Sequence, residues 1–231
     1  MKKLLITLSL LPVFSLAQDC KNYYYMSNNS TIEMTVYDKK GKESGKQTWT
    51  ITDVKKTGNN YQSTVNSSFA DEKGKEISKG TGIYKCENGV LKADVRMSLP
   101  QQQMEAYKDA EVKLEPVYIE YPSTPSIGQK LDDVDFKMEM DSKNGLKTTI
   151  IFKETNRKVD NKENITTSAG TWEAYVITYD AQFKIQLGPI GPTTNMSVKE
   201  WFVPNFGIVK TETYSKGDKL MGSTQLTAVK K

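Results

Sequence analysis

The chain has 231 residues, enough for one globular domain with a sizeable core, and its 32 basic and 28 acidic residues nearly balance. Arg96 and Arg157 are the only arginines, which argues against a nucleic-acid partner because grooves that grip phosphates favour arginine. The absence of histidine excludes Ser-His and Cys-His catalytic pairs and most metal sites built on imidazole. We therefore expect a protein that is not an enzyme and that uses no cofactor.

Residues 1–17 have the three parts of a secretory signal peptide. Lys2-Lys3 form the charged start, Leu4 to Phe14 the apolar centre, and Ser15-Leu16-Ala17 places small residues before a cleavage site. We expect cleavage after Ala17, which would leave residues 18–231 as a single soluble all-β domain in the periplasm or outside the cell. No other apolar run approaches the ~20 residues of a transmembrane helix, so no transmembrane segment is expected.

Cys20 and Cys86 are the only cysteines. Gln18-Asp19 stand before Cys20, where a lipid-attachment site would need small residues, so we expect no lipid anchor. An even number of cysteines in an oxidising compartment predicts one disulfide between Cys20 and Cys86, and two free thiols are the alternative. The disulfide would join the start of the mature chain to an interior strand and contribute about 2–4 kcal/mol of stability.

From Ile32 to Leu99, apolar and polar residues alternate with period two between short turns rich in Gly, Asn and Asp. The Asn88-Gly89 pair is typical of a type I′ hairpin turn. The run from Leu91 to Leu99 alternates without interruption and predicts one strand. This half of the chain is therefore predicted to be a meander of long antiparallel strands.

The alternation stops at Pro100, where a proline suited to a first helical turn and the helix formers after it predict one short helix to about Val112. Extended runs then resume, broken by a charged loop expected over Val159 to Asn164. The stretch from Val198 to Val229 indicates three strands joined by turns, one of them at Pro204-Asn205. The sequence thus predicts a mainly β domain of long antiparallel strands with one short helix.

Three groups of residues suggest a binding role, and each has a plainer explanation. Met138-Glu139-Met140 offers thioethers of the kind that bind copper, but methionine also fills irregular β cores. The acidic run Asp132 to Asp135, with Glu139 and Asp141, lacks the glycine and terminal glutamate of a calcium loop, which favours a solvated turn and no metal. Tyr23-Tyr24-Tyr25 could line a ligand cleft, and three consecutive tyrosines in a strand would face both ways, so some are expected to be exposed.

The segment from Glu200 to Glu212, EWFVPNFGIVKTE, resembles the TapB-like family of exported bacterial proteins, in which a strand with tryptophan runs into a Gly-hydrophobic-Val-Lys strand. Ala174-Tyr175, and Glu120-Tyr121-Pro122 before Gly128, fit the same resemblance over most of the mature chain. The resemblance implies a curved, partly open antiparallel barrel packed with a helix, similar in style to LolA-like lipoprotein carriers. It implies no reaction and supplies no catalytic residues.

A half-open barrel has a concave apolar face that a helix, a ligand or a partner must cover. The first hypothesis is therefore an exported carrier of a lipid or lipidated peptide, with the helix from Pro100 to Val112 as its plug. Its expected lining residues are Leu91, Val95, Met97, Met104, Trp172, Val176, Trp201 and Val203.

Two other hypotheses belong to different classes of protein. An envelope interaction or assembly-support protein would have a filled barrel, with an unpaired strand edge as its partner surface. An enzyme would need a buried pair of carboxylates or lysines in a cleft. An empty cavity on the order of several hundred Å3 would favour the carrier, whereas a filled core would favour the support protein.

Overall fold

Antiparallel strands make up most of the described chain. The computed structural model describes residues 20–99, 116–141, 147–187, 190–215 and 217–231. These residues form twelve strands: β1 Thr31–Asp38, β2 Glu43–Thr57, β3 Asn60–Asp71, β4 Glu76–Glu87, β5 Val90–Asp94, β6 Tyr118–Tyr121, β7 Val134–Asp141, β8 Lys147–Thr167, β9 Gly170–Leu187, β10 Thr193–Val203, β11 Gly207–Ser215 and β12 Lys219–Lys230. The helical structure within these ranges consists of short 3-10 turns at Cys20–Asn22, Tyr24–Met26 and Val95–Ser98.

The twelve strands form one sheet in the order β6-β5-β4-β3-β2-β1-β12-β11-β10-β9-β8-β7. Each half of the chain is a meander, and the halves meet where β1 pairs antiparallel with β12. The sheet curls into a nearly closed barrel, because curling encloses the apolar face of each long strand. The expected mainly β fold of long antiparallel strands in a partly open barrel is confirmed. The helix expected from Pro100 to Val112 lies outside the described residues.

Around β5 the structure confirms one local prediction and corrects another. Asn88 and Gly89 both have positive φ, 51° and 84°, as a type I′ turn requires. The strand expected over Leu91 to Leu99 instead ends at Asp94. The Asp94 carboxylate accepts a hydrogen bond from the backbone N–H of Arg96 at 3.0 Å, and this contact starts a 3-10 turn in place of further strand.

The charged loop expected over Val159 to Asn164 is also corrected, because these residues belong to β8, a strand of 21 residues. β9 pairs with β8 as far as Thr167 and Gly170, where a tight turn joins the two strands. Most of the charged side chains there are exposed. An antiparallel hairpin can carry such charges because one of its faces can remain in water.

The seam of the barrel lies between its two edge strands, β6 and β7. The backbone N–H of Leu131 donates to the carbonyl of Arg157 at 2.9 Å, so the segment before β7 runs along β8. The Arg157 side chain crosses the seam: Nη2 donates to the carbonyl of Glu120 in β6 at 3.3 Å, and Nη1 donates to that of Asp132 at 2.8 Å. One side chain therefore joins the two edges where the strand ladder ends.

The residues before β1 fill one end of the barrel, and we call residues 20–30 the aromatic plug. Tyr23, Tyr24 and Tyr25 are all buried there, so the expectation that some of them are exposed is wrong. The reason is that 3-10 turns build this segment, so its side chains do not alternate between two faces. Cys20 is bonded to Cys86 in β4 with an S–S distance of 2.05 Å, which confirms the predicted disulfide and ties the plug to the wall.

Aromatic rings of the barrel wall surround the plug. The ring centroid of Tyr25 lies 4.3 Å from that of Tyr84 and 5.8 Å from that of Trp49. Tyr24 packs edge-on against Phe206, with centroids 5.2 Å apart. Ring pairs at these separations add to the free energy gained by burial. This end of the barrel is a filled core.

Candidate ligand cavity

Beyond the plug, the barrel contains a half-open cavity of about 500 Å3. Tyr25, Trp49 and Tyr84 belong both to the packing around the plug and to the cavity wall, so the plug closes one end of the space. The rest of the wall is mostly apolar and comes from both halves of the chain: Met34, Val36, Phe69, Ala93, Met97, Leu99, Phe152, Ala181, Met196, Val198, Ile208 and Met221. Smaller polar side chains also border it: Gln47, Ser98, Thr211, Thr213, Ser223 and Thr224. A concave, mostly apolar site of this size is typical of sites that bind small molecules.

A carboxylate with two tyrosines forms a polar part of the wall, which we call the acidic patch: Tyr121, Tyr179 and Glu200. Glu200 lies on β10 two residues after Val198 and so shares its inward face. It is 7% exposed. Its Oε2 accepts a hydrogen bond from the Tyr121 hydroxyl at 2.9 Å, and its Oε1 accepts one from the Tyr179 hydroxyl at 2.9 Å. The patch joins β6, β9 and β10 across the interior.

A buried ion pair adjoins the acidic patch. Nε of Arg157 lies 2.9 Å from Oε2 of Glu154, and both side chains are 1% exposed. The angles are not those of a hydrogen bond, so the Glu154 oxygens have no hydrogen-bond partner among the residues that the structure describes. The guanidinium lies 5.7 Å from the ring centre of Tyr121 and 6.0 Å from that of Tyr179. Arg157 faces inward three residues after Glu154 because β8 bulges at Asn156, where φ is 58°.

Burial raises the pKa of both carboxyl groups. Desolvation raises the pKa of Glu154 to about 8, against the opposing charge of Arg157 and with a further contribution from Glu200. Desolvation also raises the pKa of Glu200, although Arg157 and hydrogen bonds from Tyr121 and Tyr179 act in the opposite direction. The carboxyl group of Glu154 therefore keeps its proton to a higher pH than a free glutamate side chain does, beside the permanent charge of Arg157.

The predicted lining residues from the first half of the chain lie in two places. Met97 borders the cavity. Leu91 and Val95 are completely buried in the core outside the cavity wall, and Leu91 is paired with Cys86 of the disulfide. Met104 lies outside the described residues.

Two predicted lining residues from the second half lie on the other face of the sheet. Trp201 follows Glu200 in β10 and therefore points to the opposite side. There its Nε1 donates to Oε1 of Glu163 at 2.7 Å. Val176 pairs directly with Trp201 and shares that face. Alternation separates the two faces of a strand, but it does not say which face borders a cavity.

The last two predicted lining residues lie near the filled end. The ring of Trp172 packs against Phe206 with centroids 5.1 Å apart, and Phe206 also contacts the plug. Val203 is the last residue of β10 and is partly buried. Neither residue borders the cavity, and contact of either with a ligand stays a prediction.

The sequence patterns do not single out the acidic patch or the ion pair, although two signals point to them. Glu200 stands between Val198 and Phe202 at an inward-facing register position, and a carboxylate at such a position must find partners when it is buried. Arg157 is one of only two arginines in a chain whose other basic residues are lysines. Arginine suits buried pairs better than lysine because it is less strongly hydrated.

Two of the acidic residues considered for metal binding are paired with lysines. Nζ of Lys153 lies 2.7 Å from Oδ2 of Asp135, and Nζ of Lys137 lies 2.6 Å from Oε1 of Glu139. Met138 is buried in the core. Within the ranges that the structure describes, acidic, cysteine and histidine side chains form no group of three or more that could hold a metal ion. Over the same ranges, no helix combines the length and apolarity needed to cross a membrane.

The fold and its interior define a class of mainly β proteins, in which a nearly closed antiparallel barrel contains a half-open cavity. Within that class, the chain belongs to the DUF3108-like family, whose model matches residues 27–226.

Two solved structures share this fold. One is a candidate lipoprotein from Parabacteroides distasonis, with a TM-score of 0.73 and 20% identity, over 90% of this chain and 98% of that protein. The other is a candidate exported protein with a YmcC-like fold from Bacteroides fragilis, with a TM-score of 0.71 and 20% identity, over 89% of this chain and 97% of that protein. A comparison with curated proteins gives no match.

Proposed function

We propose that this protein is an exported binding protein without enzymatic activity, which carries a lipid or lipidated peptide in its barrel. The observation that carries the proposal is the cavity of about 500 Å3, whose wall is mostly apolar. An apolar wall offers water few hydrogen bonds, so an alkyl chain gains free energy when it leaves water and enters such a space.

Export has separate support. Residues 1–17 have the pattern of a signal peptide, with cleavage expected after Ala17. The Cys20–Cys86 disulfide suits an oxidising compartment. The two structural relatives are themselves described as a candidate lipoprotein and a candidate exported protein. The narrower likeness to TapB-like proteins and LolA-like carriers fits the same role.

The cavity favours the carrier over the envelope-support hypothesis, which requires a filled barrel. The buried carboxylates are consistent with a binding role, since they take part in contacts that hold the barrel together. Glu200 accepts hydrogen bonds from β6 and β9, and Arg157 beside Glu154 spans the seam. We therefore propose binding without catalysis.

Native mass spectrometry of the protein purified from its own envelope tests the proposal. We expect an added mass of lipid size that organic extraction removes and that returns when lipid is supplied. A bare protein mass, together with no uptake of added lipid, would overturn the carrier and direct the search to a protein partner.

A pair of variants locates the binding site. Val198 faces the cavity, whereas its neighbour Lys199 is exposed on the other face of β10. Val198→Trp fills part of the cavity and should reduce uptake of a fluorescent apolar probe by about tenfold or more. Lys199→Trp introduces the same side chain outside and should leave uptake unchanged. Equal uptake by both variants would place the ligand elsewhere.

A further inference from the structure

The volume of the cavity limits the length of alkyl chain that it can hold. An apolar cavity of about 150 Å3 inside a protein holds one benzene molecule. The cavity of about 500 Å3 is roughly three times as large. A second scale is the water molecule, which occupies about 30 Å3 in the liquid and is similar in size to a methylene group. Both scales give room for about 16–20 carbons, which corresponds to one long acyl chain.

The plug closes one end of the cavity, so a bound chain cannot extend past it. Tyr25 belongs both to the plug and to the cavity wall, and its ring packs against those of Tyr84 and Trp49. The other end reaches solvent, since Met221 borders the cavity and is 44% exposed. A chain that enters beside Met221 must therefore stop at the rings, and any excess length stays in water.

Backbone pairing keeps the barrel from widening around a second chain. Much of the wall comes from β9, β10, β11, β12, β1 and β2, which are consecutive in the sheet, so each is hydrogen-bonded along both edges. The ladder ends at the seam, where the buried guanidinium of Arg157 donates to the carbonyls of Glu120 and Asp132. Widening the seam would leave these buried groups without partners, which is unfavourable.

We infer that the cavity takes one long acyl chain, so that the ligand is a single-chain amphiphile and not a lipid with two long chains. The inference rests on the proposed function and narrows it to a ligand class. Two palmitoyl chains together have about 32 carbons, well above the capacity of about 16–20 carbons. The second chain of such a lipid would remain in water, where its apolar surface is unfavourable.

A series of lysophosphatidylcholines tests the limit on the mature wild-type protein. Their single acyl chains have even numbers of carbons from lauroyl to lignoceroyl, and each lysolipid displaces a bound fluorescent phenylnaphthylamine below its micelle threshold. Each methylene group that enters the cavity should raise the affinity about fourfold. We expect palmitoyl to bind at least about a hundredfold more tightly than lauroyl, and lignoceroyl to gain less than about twofold over arachidoyl.

Two results would overturn the inference while leaving the carrier intact. One is a gain from arachidoyl to lignoceroyl as large as the gain from lauroyl to palmitoyl, since both steps add the same number of methylene groups. The other is a diacyl lipid in the organic extract of protein purified from its own envelope. Tandem mass spectrometry of that extract should show one acyl chain per molecule, and it tells a free fatty acid from a lysolipid. A protein that takes up neither the probe nor any lysolipid would overturn the proposed function itself.

Two opposite exchanges assign the limit to the cavity, since Ala93 and Phe152 both border it and are buried. Phe152→Ala enlarges the space, so the chain length at which the gain ends should increase by about three to six carbons. Ala93→Phe fills part of the space and should decrease that length by a similar amount. Lys199→Trp adds a ring outside the barrel and should leave the series unchanged. The same limit in Phe152→Ala and Ala93→Phe would overturn the inference. If Ala93→Phe fails to fold, the wild-type series and Phe152→Ala still decide the question.

Discussion

The two ends of the barrel interior are built from similar residues but packed to different densities. At one end the aromatic plug brings Tyr23, Tyr24 and Tyr25 against rings of the wall, and the space is filled. Beyond it, apolar side chains of the same strands surround a cavity of about 500 Å3. On β1, for example, Ile32 is completely buried, whereas Val36 borders the cavity.

The difference shows that an alternating apolar face does not determine how its space is filled. Native cores are close-packed, and a void gives up the contacts that a neighbour would supply. The plug end therefore gains packing contacts that the cavity end lacks. The barrel thus combines a packed end with a hollow end.

The largest expected effect compares one phenylalanine from each end. Phe202 is completely buried, with its ring 5.0 Å from Tyr121 and 6.3 Å from Tyr23, whereas Phe69 borders the cavity. Phe202→Ala should lower the free energy of unfolding by about 3–5 kcal/mol. Phe69→Ala should cause a loss of unfolding free energy that is smaller by at least about 1 kcal/mol. One side of the Phe69 ring faces the cavity, so fewer packing contacts are lost. Urea unfolding measures both, and equal losses would contradict the comparison.

The next effect concerns the Cys20–Cys86 disulfide, which holds the aromatic plug to β4. Replacing Cys20 and Cys86 together by serine should lower the free energy of unfolding by about 2–4 kcal/mol, because the disulfide restricts the unfolded chain. Guanidinium unfolding of the oxidised wild type against the double variant measures the loss. The reduced wild type is the matched control and should resemble the variant. A double variant as stable as the oxidised protein would show that ring packing alone holds the plug.

The third effect is a dependence of stability on pH, caused by Glu154. Its pKa is about 8 in the folded protein, against 4.5 for a free glutamate side chain. Between these values the folded state binds one proton more than the unfolded state. The free energy of unfolding should therefore fall as pH rises through this window, by up to about 1.4 kcal/mol per pH unit. Below the window this contribution is fully present, and above it the contribution is lost.

Glu154→Gln removes that titration and should reduce the slope, while the contribution of Glu200, whose pKa is also raised by burial, remains. Urea unfolding at a series of pH values gives the slope for the wild type and the variant. Glu139→Gln, which changes an exposed carboxylate, should keep the wild-type slope between pH 4.5 and 8. An unchanged slope in Glu154→Gln would show that another group is responsible.

Much of the fold follows from local sequence chemistry. Period-two alternation and the Asn88-Gly89 turn predict the antiparallel meanders, and the cysteine count predicts the disulfide. The errors arise where a local contact overrides the alternation. The carboxylate of Asp94 ends β5 early, and the tyrosines of the plug lie in 3-10 turns.

The candidate site follows from the sequence much less well. Met97 borders the cavity, whereas Trp201 points to the opposite side of β10 from Glu200, and contact of either residue with a ligand stays a prediction. Residue spacing cannot tell a cavity wall from a packed face, since both are apolar. The inward position of Arg157 depends on the bulge at Asn156. That bulge shifts the alternation by one residue, so counting along β8 from Glu154 would place Arg157 outside.

The pairing of β1 with β12 sets the order in which the sheet can form. Oγ1 of Thr227 donates to the carbonyl of Glu33 at 3.1 Å across 194 positions of the chain. Each meander can assemble from neighbouring strands at a small cost in loop-closure entropy. The pairing of β1 with β12, in contrast, requires both ends of the chain to be present at once. A chain threaded through a membrane from its N terminus would therefore wait for its last strand to emerge. Until then β1 would pair only with β2, and the interior of the barrel would stay open to water.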